Sequence, residues 1–353
     1  MEKGRLWTRD FIIIACINVM LFFGWQTQLG TFPVYVRGLG GSDSVVGICI
    51  ALSTLGALLF RPLAGFASDR LGRRFVITAG LILMIATSLL YRWFPFVSAF
   101  FMIRFLAGIG WGISTTASST IATDAINKRR FSEGMGYFSL SQSISLGLAP
   151  AVGLAVMAAI GFRGLAIVSA GLFGIALCFA FNMRYQKIET KKKKRFAPYE
   201  RSAVRPALII AFVAIAIGSV FGFAALYSKS QGLSGGLFFT CLAISMLITR
   251  PLSGKLIDRF GFNVLIFPGF IVFICAMIIV SCAHSQIGFV AAAFLLGAAF
   301  GVLQTSLQTM AVVNSPVDRP MPPILPDLIW ESVWAILSPE YLPMPLGTTS
   351  CLG

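Results

Sequence analysis

Ten apolar runs, each long enough to cross a bilayer as a helix and set apart by short charged or glycine-bearing turns, leave this chain few ways to fold. They lie near 11–35, 45–66, 75–93, 96–122, 134–160, 163–183, 206–228, 234–254, 262–282 and 286–313. Hydrocarbon offers no partner to a backbone amide, so a spanning segment satisfies its own hydrogen bonds, and about 20 apolar residues do so as a helix. Composition agrees: hydrophobic residues make up 57% of the chain and Asp, Glu, Lys and Arg only 12%, where a soluble domain carries about 25% charged residues. The predicted fold class is an all-α integral membrane protein. The first run is too long for the core of a cleaved signal and continues into a hairpin, so it reads as a retained span.

Lysines and arginines outnumber acidic residues 28 to 13, and their placement says what the excess is for. With the amino terminus inside, 21 of the 28 fall in cytoplasmic segments and only Arg37, Arg92, Arg163 and Lys229 fall in external loops. Basic loops stay on the cytoplasmic side, which sets the orientation and accounts for the net charge without nucleic acid. Nine of them lie from Arg184 to Arg205, with Lys191, Lys192, Lys193, Lys194 and Arg195 consecutive. This linker, 184–205, is either a solvated tether near anionic headgroups or a lipid-reading segment. It divides a six-span bundle, 1–183, from a four-span bundle, 206–313.

The two units share an internal repeat. Arg61-Pro62-Leu63, Gly65, Asp69-Arg70 and Gly72 return as Arg250-Pro251-Leu252, Gly254, Asp258-Arg259 and Gly261, an offset of 189 positions. Phe105, Leu106, Gly108 and Gly112 return as Phe294, Leu295, Gly297 and Gly301 at the same offset. Two separate matches at one spacing indicate a duplicated unit.

At these residues the chain resembles the major facilitator superfamily, whose signature Gly-x-x-x-Asp-Arg-x-Gly-Arg-Arg/Lys joins the second and third helices of each half. Gly65, Asp69, Arg70, Gly72, Arg73 and Arg74 fit the first copy; Gly254, Asp258, Arg259 and Gly261 fit the second, where Phe262 and Asn263 replace the basic pair. The resemblance implies two pseudo-symmetric helical bundles, the second incomplete at about ten membrane helices in all, rocking about a midplane site. It implies that Asp69 faces the start of an eleventh helix and Asp258 the fifth, as latches made in one conformation and broken in the other; the plainer alternative is a surface ion pair at each turn.

Arg104, on the fourth span, reads as the only ionisable residue deep in the membrane, where a charge by default marks a functional interior. With Gly108 and Gly112 it resembles the family's second motif, although Ile109-Gly110-Trp111 is bulkier than usual; it is a coupling residue or a structural donor to a neighbouring span. Gly136, Pro150 and Gly153 on the fifth span fit half of the family's antiporter motif, with Ser145, Ala149 and Leu154 at its other positions. They point to efflux by exchange for protons, or to a kink with close packing. Gln304 and Gln308 lie on one face of the tenth span, and the repeat maps them onto Thr115 and Ser119 of the fourth. Asn18, Trp25, Gln26 and Gln142 join them as cavity candidates, each either a ligand contact or glue between helices. With no other charge evident there, the solute is expected to be uncharged, amphipathic or anionic.

Past Asn314 the family pattern would continue into an eleventh helix, but Pro320, Pro322, Pro323 and Pro326 exclude a span. A legal back-translation of this stretch, regrouped by one base, gives a string similar to that helix. The tail 314–353 is therefore expected to be out of frame from about codon 319, and a chain of this length to transport poorly or not at all. Nothing suggests an enzyme: there is no phosphate loop, no His-Glu-x-x-His, and the single histidine, His284, falls in a short loop. Seven cysteines include no Cys-x-x-Cys, and no cofactor or metal is expected. The expectation is a proton-coupled exporter of a small solute, monomeric, in the plasma membrane with its amino terminus in the cytoplasm. The alternative is a non-transporting membrane sensor or an inactive product of a transporter gene.

Overall fold

The computed structural model describes residues 6–94, 96–183 and 231–313, together with 208–228 except 211, 219, 221–223, 225 and 226. The linker 184–205 and the tail 314–353 lie outside the described residues, as does the side chain of Pro150. The long helices are α1 Arg9–Gly38, α2 Asp43–Leu71, α3 Arg73–Trp93, α4 Val97–Ala125, α5 Phe131–Asn182, α6 Gly235–Phe260, α7 Asn263–Cys282 and α8 Gln286–Val313. No strand occurs among the described residues. Eight helical stretches among them are long and apolar enough to cross a membrane.

Local chemistry sets the helix ends. The Thr8 hydroxyl accepts from Phe11 N at 3.2 Å and starts α1, and Ser234 does the same for Leu237 N at the head of α6. The predicted turn between the fifth and sixth spans is one residue: Gly161 at φ 72°, a conformation a side chain rarely adopts, splits α5 into two arms. The backbone at Pro150 stays helical, so the break falls at the glycine. The arms run oppositely beside α1. Along the first, Tyr137 meets Trp7 and Gly153 meets Thr27; along the second, Phe162 stacks on Tyr35 and Phe173 fills the space at Gly24. α1 thus lies between both arms of α5.

The duplication is visible as matched contacts. A Cβ on Gly108 of α4 would strike Ser53 O of α2, and one on Gly297 of α8 would strike Leu242 O of α6, each residue displaced by 189 from its counterpart. Gly112 closes on Ala57 as Gly301 closes on Met246, and Gly80 on Ser114 as Gly269 on Leu303. Phe105 O is approached by Gly56, whereas Phe294 O accepts from Ser245 Oγ at 2.6 Å, the counterpart of that glycine. Small residues at these crossings let backbones approach where lipid supplies no hydrophobic drive. The result is two pseudo-symmetric bundles.

Each bundle has its own core. Phe11, Ile14, Ile17 and Leu21 of α1 pack with Ile77 and Leu81 of α3 and Phe173 of α5. Phe238, Leu242 and Met246 of α6 pack with Phe273, Phe289 and Phe300. Large apolar groups such as Phe267 and Ile271 on α7 and Met102 on α4 face outward, as a surface in contact with lipid requires.

Candidate functional site

The signature turns end α2 and α6 on glycines with positive φ, Gly72 at 96° and Gly261 at 84°, and that geometry explains why both copies carry glycine there. At the second turn, Asp258 reaches across to the first half. Its Oδ1 accepts from Ser132 N at 3.0 Å and its Oδ2 from Glu133 N at 2.9 Å, so the carboxylate sits on the amino end of α5, where backbone amides and the helix dipole favour an anion. Glu133 accepts from Arg130 Nε at 2.6 Å and Nη2 at 2.8 Å and lies 3.8 Å from Lys255 Nζ. The Arg130 pKa is raised, chiefly by that hydrogen bond with Glu133. Gly254, one turn back, lets Ser132 O come so close that a Cβ would collide with it.

At the first turn Gly65 is buried and Asp69 half-buried on the last turns of α2. Arg73 pairs with Asp124 and donates to Thr120 O at 2.9 Å, tying α3 to α4, while Arg74 donates to Phe181 O at 2.5 Å in the last turn of α5. Arg70 and Arg259 are exposed and lie over the rings of Phe66 and Phe260.

Arg104 is fully buried, with Nη2 3.4 Å from Gln28 O and its guanidinium 3.8 Å from the centroid of Phe32. Trp25 and Tyr91 stand slightly farther off, and Nε and Nη1 have no hydrogen-bond partner. Gln28, which sequence reasoning passed over, also donates from its amide to Ser88 Oγ at 2.7 Å.

Arg104 is not alone at depth, and that expectation is corrected. Arg250 and Arg61 are both 2% exposed. The helix α6 continues to Phe260 and α2 to Leu71, which places each well inside its helix. Ten residues of helix put Arg250 roughly 15 Å from the end of α6. Its Nη1 donates to Ser139 O and Gln142 Oε1 (3.3 Å) of α5, and its Nη2 to Gln304 Oε1 of α8 at 2.5 Å. Gly136 of the antiporter-like motif belongs to the same seam, where a Cβ would lie 2.6 Å from Arg250 O; Gly153 lies against α1, where a Cβ would lie 3.0 Å from Thr27 O.

The cavity candidates divide. Gln142 and Gln304 converge on Arg250. Asn18 donates to Ser141 Oγ at 2.5 Å and accepts from Ser118 Oγ at 3.1 Å, joining three helices. Thr115 returns its hydroxyl to Trp111 O of its own helix at 2.8 Å. Trp25 stacks on Trp111 at 4.9 Å, with the edge of Phe22 against that indole. Gln26, Ser119 and Gln308 are half-buried.

Comparison with known proteins adds ancestry to this geometry. An uncharacterised MFS-type transporter of Methanocaldococcus jannaschii is 22% identical over 90% of this chain and 85% of its own length. Multidrug resistance protein 2 of Bacillus subtilis is 25% identical over 74% of this chain and 70% of its own. Multidrug resistance protein MdtG of Escherichia coli is 22% identical over 88% and 81%. The solved human organic anion transporter MFSD10 (TETRAN) superposes with a TM-score of 0.76 at 15% identity, covering 95% of this chain and 93% of its own, and so shares the fold. The Major Facilitator Superfamily profile matches residues 14–320. With that match added to the doubled signature and the repeated helix crossings, the chain belongs to the major facilitator superfamily, a family of multi-pass membrane transporters rather than enzymes.

Proposed function

We propose that this chain is a proton-coupled exporter of a small amphipathic solute, working as a monomer in the plasma membrane, with its amino terminus in the cytoplasm, by alternating access. The observation that carries the reading is the Asp258 carboxylate of the second half bonded to the amino end of α5 in the first. A contact made only while the cytoplasmic ends touch gives a carrier two states to exchange between.

Gly254, Asp258, Arg259 and Gly261 form one latch, and Gly65, Asp69, Arg70, Gly72, Arg73 and Arg74 the other. Arg104, with Gly108 and Gly112 bringing α4 against α2, is the coupling residue. Gly136 shapes the α5 surface at the seam, and Pro150 and Gly153 complete the antiporter-like motif, Gly153 against α1. Asn18, Trp25, Gln26, Thr115, Ser119, Gln142, Gln304 and Gln308 supply the polar and aromatic lining. Export of an amphipathic solute is supported by relatives named for multidrug resistance.

Proteoliposomes with an imposed pH gradient and the amphipathic probe 1-anilinonaphthalene-8-sulfonate as solute test this. Uphill flux of this probe abolished by a protonophore is expected. Flux that survives collapse of the gradient refutes proton coupling, and binding without flux refutes the carrier and identifies a sensor.

A further inference from the structure

Arg250 is a buried cation held by neutral acceptors. Ser139 O and Gln142 Oε1 come from α5, Gln304 Oε1 comes from α8, Nε has no hydrogen-bond partner, and among the described residues no carboxylate pairs with it. Dipoles compensate a buried charge less well than an anion does, and a guanidinium presents a planar fork matched to carboxylate, sulfonate or phosphate oxygens.

The partners are also unequally placed. Ser139 and Gln142 belong to the first half, Arg250 and Gln304 to the second. When the halves part at this end, the guanidinium loses its α5 acceptors and keeps Gln304. Arg104 differs: Gln28, Phe32 and Tyr91, which surround it, all belong to its own half, so the same motion leaves its environment unchanged.

We propose that Arg250, flanked by Gln304, is the subsite for the acidic group of an amphipathic anionic solute, entered when the α5–α6 seam opens. Closing returns the donors to Ser139 and Gln142, which displaces the anion and makes solute release part of the same movement. The proposal rests on the carrier reading above and adds the charge class of the solute.

The test uses the full chain in phosphatidylcholine nanodiscs and two probes with one ring system, 2-naphthoate and 2-naphthamide, with binding read by tryptophan quenching. Wild type is expected to bind the carboxylate about tenfold more tightly than the amide or better, the worth of a charge-assisted hydrogen bond. Arg250→Gln brings that ratio towards one. Should Arg250→Gln fold poorly, Gln304→Glu carries the test: it supplies a resident carboxylate, so the anion preference disappears while the melting temperature rises. Asp258→Asn, which loosens the seam, raises the ratio.

Equal binding of both probes by wild type, binding of neither, or a preference that survives in Arg250→Gln and Gln304→Glu overturns the subsite. A preference lost on adding phosphatidylglycerol to the discs assigns the donors to a lipid headgroup and overturns the solute assignment. The carrier reading stands or falls separately, on the proton-driven flux of 1-anilinonaphthalene-8-sulfonate.

Discussion

Asp258→Asn measures how much of the closed arrangement depends on one carboxylate. Both oxygens are in use, at 3.0 Å from Ser132 N and 2.9 Å from Glu133 N. Asn retains one acceptor and turns the other into a donor facing a backbone amide, and the negative charge leaves the amino end of α5. A hydrogen bond to a charged group contributes about 1.5–3 kcal/mol, and the helix terminus adds about 0.3–1. Asp258 is solvent-exposed, so the low end applies and the net loss is about 1–2 kcal/mol. At about 1.4 kcal/mol per factor of ten, the closed-to-open ratio falls roughly five- to thirtyfold. Spin labels on Lys128 and Phe260, both exposed near the seam, report this as a longer-distance population in pulsed electron paramagnetic resonance. Distance distributions that are the same in wild type and variant would show that the carboxylate does not hold the ends together.

Three further outcomes are expected. Gly254→Ala drives a Cβ into Ser132 O, a backbone atom that cannot swing aside, so the same labels separate further and flux falls, for overpacking of about 1–3 kcal/mol; unchanged distances would refute the close approach. Gly72→Ala and Gly261→Ala each force a side chain into positive φ at about 1–2 kcal/mol, and both melting temperatures drop by similar amounts if the two turns are equivalent. Arg104→Met removes a buried cation whose Nε and Nη1 lack partners, so the melting temperature rises while proton-driven flux is lost; a destabilised variant with normal flux would mark Arg104 as structural.

Much of the architecture was legible because it is written in periodic or repeated form. Asp69 and Asp258, Gly72 and Gly261, Gly108 and Gly297 stand at a fixed offset, and the close approaches of Gly108 to Ser53 and of Gly297 to Leu242 stand at that offset too. What stayed hidden depends on helix length and rotation. The burial of Arg250 was not legible, because hydropathy cannot tell a helix that stops from one that runs on into the headgroups. Trp111 read as a departure from a glycine-rich pattern, and only its ring geometry shows it stacked on Trp25. Gln28 was one polar residue among several on α1; its bonds to Arg104 and Ser88 require α3 and α4 in place.

The position of α1 between the two arms of α5 bears on how the protein is made. Thr27 finds Ser169 and Asn18 finds Ser141 only after more than a hundred further residues have been synthesised. At about 5–20 residues per second that is a wait of roughly 6–28 s. Throughout it the Asn18 amide of the first helix is without its final partners, Ser118 and Ser141, while the Thr27 hydroxyl can bond to Gly24 O of its own helix. Variants that slow synthesis or turning at Gly161 should be cleared by quality control before any defect in transport is seen.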